Sequence, residues 1–541
     1  MRHQSRKIGL AAAATALAAL PSAGPASAAF GDPDLLWGAN EVATTEVALT
    51  SSAGALALSG DPFGGANAFG PGTQGSFRVL TAALWANDGV QVNTRRHLFD
   101  KVTGPTQPTG VARQPDGKFL VLGDNGVARL FPNGNQDGDW GFFDANGQRG
   151  GVAEIPSPPG ATLTLRGVAP QDDGKVVAVG SAGGKIIVAR LTASGVNQRG
   201  GFADPSFGGS SGISTLLDPT ALSESAAGVV VNADTIYVGG DARLRDGRQG
   251  FVLYRLRKTD GSLVSRTFTQ VTAPEGGTPR ANDLVRLANG RLVVGGALEN
   301  GSRNVSQGAL VAYQPSGVLD SAFGANGLVL DKALTTEPRY TTTFGRIFGL
   351  SRTTSGYTLT AYKNANGAFD TSFGGTGLVT GSYPSGAGTA KTIAVTTRSG
   401  QAKLLAGGFD GSGTESAFFV ARYQLGCVNI RACTVVVQTS RNSATFNHSN
   451  TSAQSNGILV ERVVRFKRVA GRRVPVTRIV GRVPFGRQHK GRISISWDYK
   501  VNGKRVPAGS YRITMRTLRS DKVVELARPR IVKVPAAPRR G

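Results

Sequence analysis

The sequence predicts an all-β protein: a β-propeller of about seven blades, six being the alternative, followed by a small β-sandwich. Three observations predict it. The chain carries 75 Gly and 26 Pro but only 2 Met, the composition of many short strands joined by tight turns, with no long helical pattern. Strand-and-turn elements recur at a spacing of roughly 60 residues, the mark of a repeat architecture. After about Thr434 the pattern changes to longer strands with strict two-residue alternation, and the charge becomes strongly basic.

At the start of the chain, Arg2, Arg6 and Lys7 precede an apolar run from Ile8 to Leu20, and Ala26-Ser27-Ala28 supplies a small-residue cleavage site. Residues 1–28 therefore read as a signal peptide, and the mature chain as soluble and extracellular. No Cys follows the cleavage site to carry a lipid, no twin Arg marks a Tat signal, and no later apolar stretch approaches the roughly 20 residues of a spanning helix.

The repeat has three recurring parts. The first is a polar turn feeding a short apolar strand that ends in Gly: Gln114-Pro-Asp-Gly-Lys118 before Phe119 to Gly123, Asp172-Asp-Gly-Lys175 before Val176 to Gly180, and Ala288-Asn-Gly-Arg291 before Leu292 to Gly295. Weaker copies occupy Asn232 to Gly239 and Ser399 to Gly407. The second is a strand ending in an aromatic or Leu, as at Val127 to Leu130, Ile187 to Leu191, Val252 to Leu256, Leu310 to Tyr313, Leu359 to Tyr362 and Phe419 to Tyr423. The third is a turn, Asp204-Pro-Ser-Phe207-Gly-Gly, Asp320-Ser-Ala-Phe323-Gly and Asp370-Thr-Ser-Phe373-Gly-Gly. Its Asp is expected to cap the turn through an Asx hydrogen bond, and its Phe to plug the gap between adjacent blades. A four-stranded sheet cannot bury both faces alone, so successive sheets must stack; the uncharged strands Val176 to Gly180 and Leu292 to Gly295 suit positions buried on both sides.

Together these motifs, over about residues 60 to 425, resemble the delta-60 repeat, a family of exported bacterial β-propeller modules. The resemblance implies a propeller over 29–425 and brings no catalytic residues with it. The copy around Gly345 to Tyr362 is degenerate, which leaves the blade number open between six and seven.

From Gly426 to the end, 25 Lys and Arg stand against 4 acidic residues, so this segment holds +21 of the chain's net +26. In Ile493-Ser-Ile495-Ser-Trp497 the apolar residues share one face; in Tyr511-Arg-Ile513-Thr-Met515-Arg516 the cations share the other. Asn502-Gly503 supplies a type I′ hairpin turn between these strands. The run Trp497 to Tyr511 resembles the Ig-like sandwich of flagellar hook-capping proteins and related bacterial surface modules, which implies an Ig-like β-sandwich over 426–535, followed by a basic tail at 536–541. Cys427 and Cys433, close in sequence in an oxidising exterior, are expected to form a local disulfide; a metal site is the poorer reading, since no His lies near them.

The density of charge points to an anionic partner held by Arg465, Lys467, Arg468, Arg472, Arg473, Arg512 and Arg516. Plain solubility and a generally Arg-rich composition are the competing accounts. For an exported protein the accessible polyanions are cell-envelope polymers, lipid head groups and extracellular DNA. Few aromatics accompany the cations and no reading motif is present, so sequence-specific nucleic-acid recognition is not expected.

Chemistry is sparse. The mature chain has three histidines, His97, His448 and His489, and neither a nucleophile elbow nor a His-Glu-x-x-His motif. Asn133, Asn135, Asp137, Asp139 and Asp144 are spaced as donors of a calcium loop, without helical flanks and with Asp in place of the terminal Glu; a blade-connecting turn accounts for the same residues. The expected function is a non-enzymatic, exported binding or cell-surface protein without a cofactor. The alternatives are a calcium-supported carbohydrate-active propeller enzyme, which needs a pair of carboxylates in a cleft, and a nonspecific extracellular polyanion or DNA binder.

Overall fold

The computed structural model describes residues 33–536, except 35–36, 38–41, 46–55, 61–64, 75–76, 87–90, 98–106, 124–125, 142–149, 195–198, 301–304, 335, 344, 399–400, 413–414, 428–435, 441–442, 451–453, 470–471, 489–490, 520–521 and 526–529. The signal-peptide segment therefore lies outside the described residues. All regular structure among the described residues is β, and no helix there is long and apolar enough to cross a membrane.

Seven four-stranded antiparallel sheets are present among the described residues. In chain order their first strands are Ala57–Gly60, Pro108–Arg113, Thr164–Pro170, Ala221–Val231, Thr278–Arg286, Arg339–Thr343 and Gly388–Arg398. The third sheet shows the local logic. Thr164–Pro170 is turned by Gln171 to Lys175 into Val176–Ala182, which pairs with Lys185–Leu191, and Ile213–Leu216 forms the outer edge. Asp173 accepts the Lys175 amide at 3.1 Å, and Gly174 takes φ +81°, the left-handed geometry that Gly supplies without strain. The same turn recurs through Asp116–Lys118 and Asn289–Arg291.

Second strands such as Val176–Ala182, which is uncharged, and Leu292–Glu299, whose one charge is the terminal Glu299, are almost wholly buried. Each hydrophobic cluster joins neighbouring sheets. One runs from Val177 and Val188 of the third sheet to Val238 and Tyr254 of the fourth, another from Val293 and Leu310 of the fifth to Ile347 and Tyr362 of the sixth. Gly295 shows how tight this stacking is: a Cβ there would lie 2.4 Å from the Tyr340 ring of the next sheet.

The first strands of all seven sheets line one central cavity, contributing Leu58, Thr109, Arg166, Ala227, Asp283, Arg339 and Thr392. The sheets therefore form a closed ring, a β-propeller. Closure is made inside the seventh sheet. Its outer strand, Val42–Thr45, comes from the beginning of the chain and pairs in register with Glu415–Cys427, Val42 opposite Ala421 and Thr45 opposite Phe418.

Beyond the ring, Val436–Thr439, Ala444–Asn450 and Gly491–Trp497 form a three-stranded sheet. Arg472–Gln488, Gln454–Val469, Gly509–Arg519, Lys522–Glu525 and Arg530–Val534 form a five-stranded one. The two share a core in which Phe446, Ile495 and Trp497 of one meet Val460, Tyr511 and Ile513 of the other. Where the side chains are described, over residues 495–497 and 511–513, the alternation is observed, but those two strands lie in different sheets. Asn502 and Gly503, at φ +49° and +75°, turn instead the short strands Lys500–Val501 and Lys504–Arg505.

Candidate functional site

Five corners of the ring are built alike. In each, an Asp amide bonds a third-strand carbonyl, that of Arg129, Arg190, Ala312, Ala361 or Arg422, and an aromatic three residues on bonds back to the Asp carbonyl. At Asp204, Oδ1 accepts the Ser206 amide at 3.0 Å, while Oδ2 takes Arg190 Nε at 2.7 Å and Lys175 Nζ at 2.8 Å. Burial alone would raise this carboxyl, but Lys175, the Ser206 amide and hydroxyl, and Arg190 outweigh it and hold it well below the usual range. The Arg190 guanidinium lies over Phe207, 4.5 Å from the ring centroid, and Phe207 packs into the cluster shared by the third and fourth sheets.

Asp320 and Asp370 likewise cap their turns through the Ala322 and Ser372 amides. There the cation comes from the start of the second strand, as Arg291 just before it and Arg346 at its first position. Sequence reading missed the fifth corner. Asp34 binds Arg422 at 2.8 Å and Lys403 at 2.9 Å, Arg422 lies over Trp37 at 4.2 Å, and Trp37 packs between the seventh and first sheets. The signal was present, since Asp34-x-x-Trp37-Gly38 repeats the spacing of Asp137-x-x-Trp140-Gly141.

The residues spaced as a calcium loop fall on that second corner. Asn133 Oδ1 accepts the Asn135 amide at 3.0 Å, Asn135 Oδ1 accepts Arg95 Nε at 2.9 Å, and Asp137 binds Arg129 at 2.7 Å and Lys118 at 3.1 Å. The Asp139 amide bonds Asp137, and Asp144 lies outside the described residues. Among the described residues no group of three His, Cys, Asp or Glu side chains gathers as a metal site would require. Cys433 and the side chain of Cys427 also lie outside the described residues, as do His489 and the side chains of His97 and His448.

Polar groups converge in the central cavity, of about 200 Å³. In five sheets the first strand carries a β-bulge at the same step, between Pro108 and Gly110, Leu165 and Gly167, Ala226 and Gly228, Ala281 and Asp283, and Ala390 and Thr392. Thr109, Arg166, Ala227, Asn282 and Lys391 are the extra residues, each freed from the ladder. Asn282 donates to the Pro338 carbonyl at 3.0 Å, and Lys391 binds Glu337 at 2.9 Å. Arg339 binds the half-buried Asp283 at 2.8 Å, and the Tyr340 amide donates to its other oxygen at 2.8 Å. Burial raises the Asp283 carboxyl against these contacts.

The seven cations assigned to a polyanion are brought together in part. Arg465, Lys467, Arg468, Arg472 and Arg473 all lie on the hairpin Gln454–Val469 and Arg472–Gln488. Strand Gly509–Arg519 covers only Ser455 to Arg462 of it, so Val463–Val469 paired with Arg472–Thr477 runs on as a two-stranded ribbon. Arg468 stands directly opposite Arg473, and Arg462 opposite Arg478. Arg512 and Arg516 lie on the covering strand, and Arg512 is 3.7 Å from Glu461.

No protein-family model matches the chain, and no curated protein matches it. Among solved structures it is similar to the polysaccharide lyase Uly1 (13% identity, 72% of this chain and 93% of that one, TM-score 0.39). It is also similar to the β-propeller domain of the Trilobed protease from Pyrococcus furiosus, described as having an open velcro topology (10% identity, 72% and 96%, TM-score 0.37), and to a Penicillium chrysogenum alpha-L-arabinanase (12% identity, 70% and 94%, TM-score 0.34).

Proposed function

We propose that this is an exported, non-enzymatic binding protein in which the ring is a rigid scaffold and the basic C-terminal hairpin attaches it to an anionic polymer of the cell envelope. The observation that carries this reading is the two-stranded ribbon with Arg placed opposite Arg. Like charges at directly opposed positions destabilise a sheet, and a folded protein gains nothing internally from aligning them. An anionic chain laid along the ribbon relieves that repulsion. The nearly neutral ring supports a division of labour, with charge confined to the appendage. The cavity supports a binding role over hydrolysis by paired carboxylates: the acid in its described lining is Asp283, and Arg339 holds it.

The test is retention of the full chain on isolated bacterial cell walls at rising salt, beside a variant with Arg465, Lys467, Arg468, Arg472 and Arg473 all changed to Gln. The variant is expected to elute at clearly lower salt, because each lost cation lowers the salt dependence of binding. Equal retention of the two proteins overturns the reading. Preferential retention on DNA over cell walls favours the nonspecific polyanion binder instead.

A further inference from the structure

We propose that the centre of the ring is an oxyanion site, taking the carboxylate, sulfate or phosphate group of a small solute or of a polymer end. Arg166, Arg339 and Thr109 are its recognising groups. The geometry argues for it in three steps. First, the bulges at Thr109 and Arg166 put both residues in the cavity lining, and bulges re-aim side chains where a plain strand would keep them on the ladder. Second, two bulge residues, Asn282 and Lys391, are satisfied by the neighbouring Pro338 and Glu337, whereas Arg166 and Thr109 are not. Among the described residues Arg166 has no carboxylate within ion-pair distance, and the Thr109 hydroxyl is shielded from solvent without a hydrogen-bond partner. A buried hydroxyl left unmatched costs free energy unless something occupies the space beside it.

Third, the local charge is not balanced. Arg339 is matched by Asp283 and Lys391 by Glu337, whereas Arg166 has no ion-pair partner among the described residues: Asp241, which attracts it from a distance, is bound by Arg280. Arg166 is solvent-exposed within the open cavity, yet partial loss of hydration against its walls and repulsion from Arg339 both disfavour its guanidinium, while Asp241 and Glu337 offset this only in part. A bound anion would give the Thr109 hydroxyl an acceptor and Arg166 a counter-charge. A cavity of about 200 Å³ admits several water molecules' volume, enough for an oxyanion and its immediate substituent. Arg at such a position binds carboxylate, sulfate and phosphate alike through its planar fork.

The test is calorimetric titration of the full chain with sodium sulfate, sodium phosphate, galacturonate and a short oligogalacturonate. Arg166→Gln, Arg166→Lys and Thr109→Val are compared with the five-site hairpin variant. Binding of at least one probe is expected, weakened about 10-fold or more in Arg166→Gln, partly restored in Arg166→Lys and reduced in Thr109→Val. The hairpin variant should bind the small probes as the parent does. Thus this inference and the attachment reading can fail separately. Tighter binding of the oligomer than of galacturonate identifies a polymer end as the source; equal binding identifies a free solute. Absence of binding by every probe, or identical affinity in Arg166→Gln, overturns the proposal.

Discussion

Replacing Asp34 with Ala tests how the ring is held shut. Its carboxylate is 4% exposed and neutralises two cations at once, Arg422 at 2.8 Å and 4% exposed, and Lys403 at 2.9 Å and 14% exposed. Removing it strips both buried cations of this counter-charge. Breaking a buried pair from one side costs about 3–5 kcal/mol, whereas an exposed pair is worth about 1 kcal/mol or less. The structure places Asp34 in the first class, so urea unfolding of Asp34→Ala should show a loss of about 3–5 kcal/mol at unchanged m-value. Hydrogen exchange should localise the loss to Val42–Thr45 and its partner strand.

The sign of the pH dependence follows from Lys403. Burial lowers its amine below the ordinary 10.5 against the attraction of Asp34, and Arg422 lowers it further. Without Asp34 the native amine falls lower still. Between that value and 10.5 the unfolded chain keeps a proton the native state has shed, so stability rises with pH and the deficit of Asp34→Ala should shrink toward pH 10. Asp246→Ala, which removes the exposed pair with Arg248 and a cap on its amide, is the control and should move the transition far less. A loss below about 1 kcal/mol for Asp34→Ala would refute the assignment of a buried, closing contact.

Three further outcomes are expected. Burial pushes Asp241 up to about 6 from 3.8, even though it accepts the Ala281 amide and faces Arg280; its contribution to stability therefore falls as pH rises from about 4 to about 6. Asp241→Asn should remove that slope and gain up to about 3 kcal/mol relative to the parent at pH 7 over pH 4, and parallel pH profiles of the two melts would sink the claim. Phe207→Ala should cost about 3–5 kcal/mol in urea unfolding, because the ring fills the seam between the third and fourth sheets; a loss near zero would mean that it plugs nothing. Arg473→Glu turns the like-charge position opposite Arg468 into a complementary one and should raise stability by about 0.2–1 kcal/mol while lowering salt-resistant retention on cell walls, so a destabilised or equally retained variant counts against the ribbon argument.

Much of the ring was legible because its local rules are written in local residues. The turns at Asp116, Asp173 and Asn289, the buried strands that follow them, and the corners at Asp204, Asp320 and Asp370 each need only a handful of consecutive side chains. What escaped depends on registers and distances that no short window contains. Asp34 carries the corner spacing, yet its cation is Arg422, at the other end of the ring. The bulges that free Arg166 and Thr109 are one-residue slips against a partner strand, and sequence alternation does not distinguish a slipped residue from a paired one. The spacing from Asn133 to Asp144 imitated a calcium loop because an Asx turn and an ion loop both need oxygen donors two residues apart. The cross-strand opposition of Arg468 and Arg473 needed the hairpin register as well as the composition.

Because Val42–Thr45 completes a sheet whose other three strands begin at Gly388, that sheet cannot be finished until nearly the whole ring has been made. Closing a loop of that length carries an entropic cost that grows only logarithmically, so the pairing is thermodynamically cheap but kinetically late. Earlier sheets can zip from neighbour to neighbour as they are synthesised, while the opening segment with Asp34 and Trp37 waits, its aromatic side chain without a home. Folding of this chain should therefore end where it began, with a single slow docking event that converts an open crescent into a continuous circle.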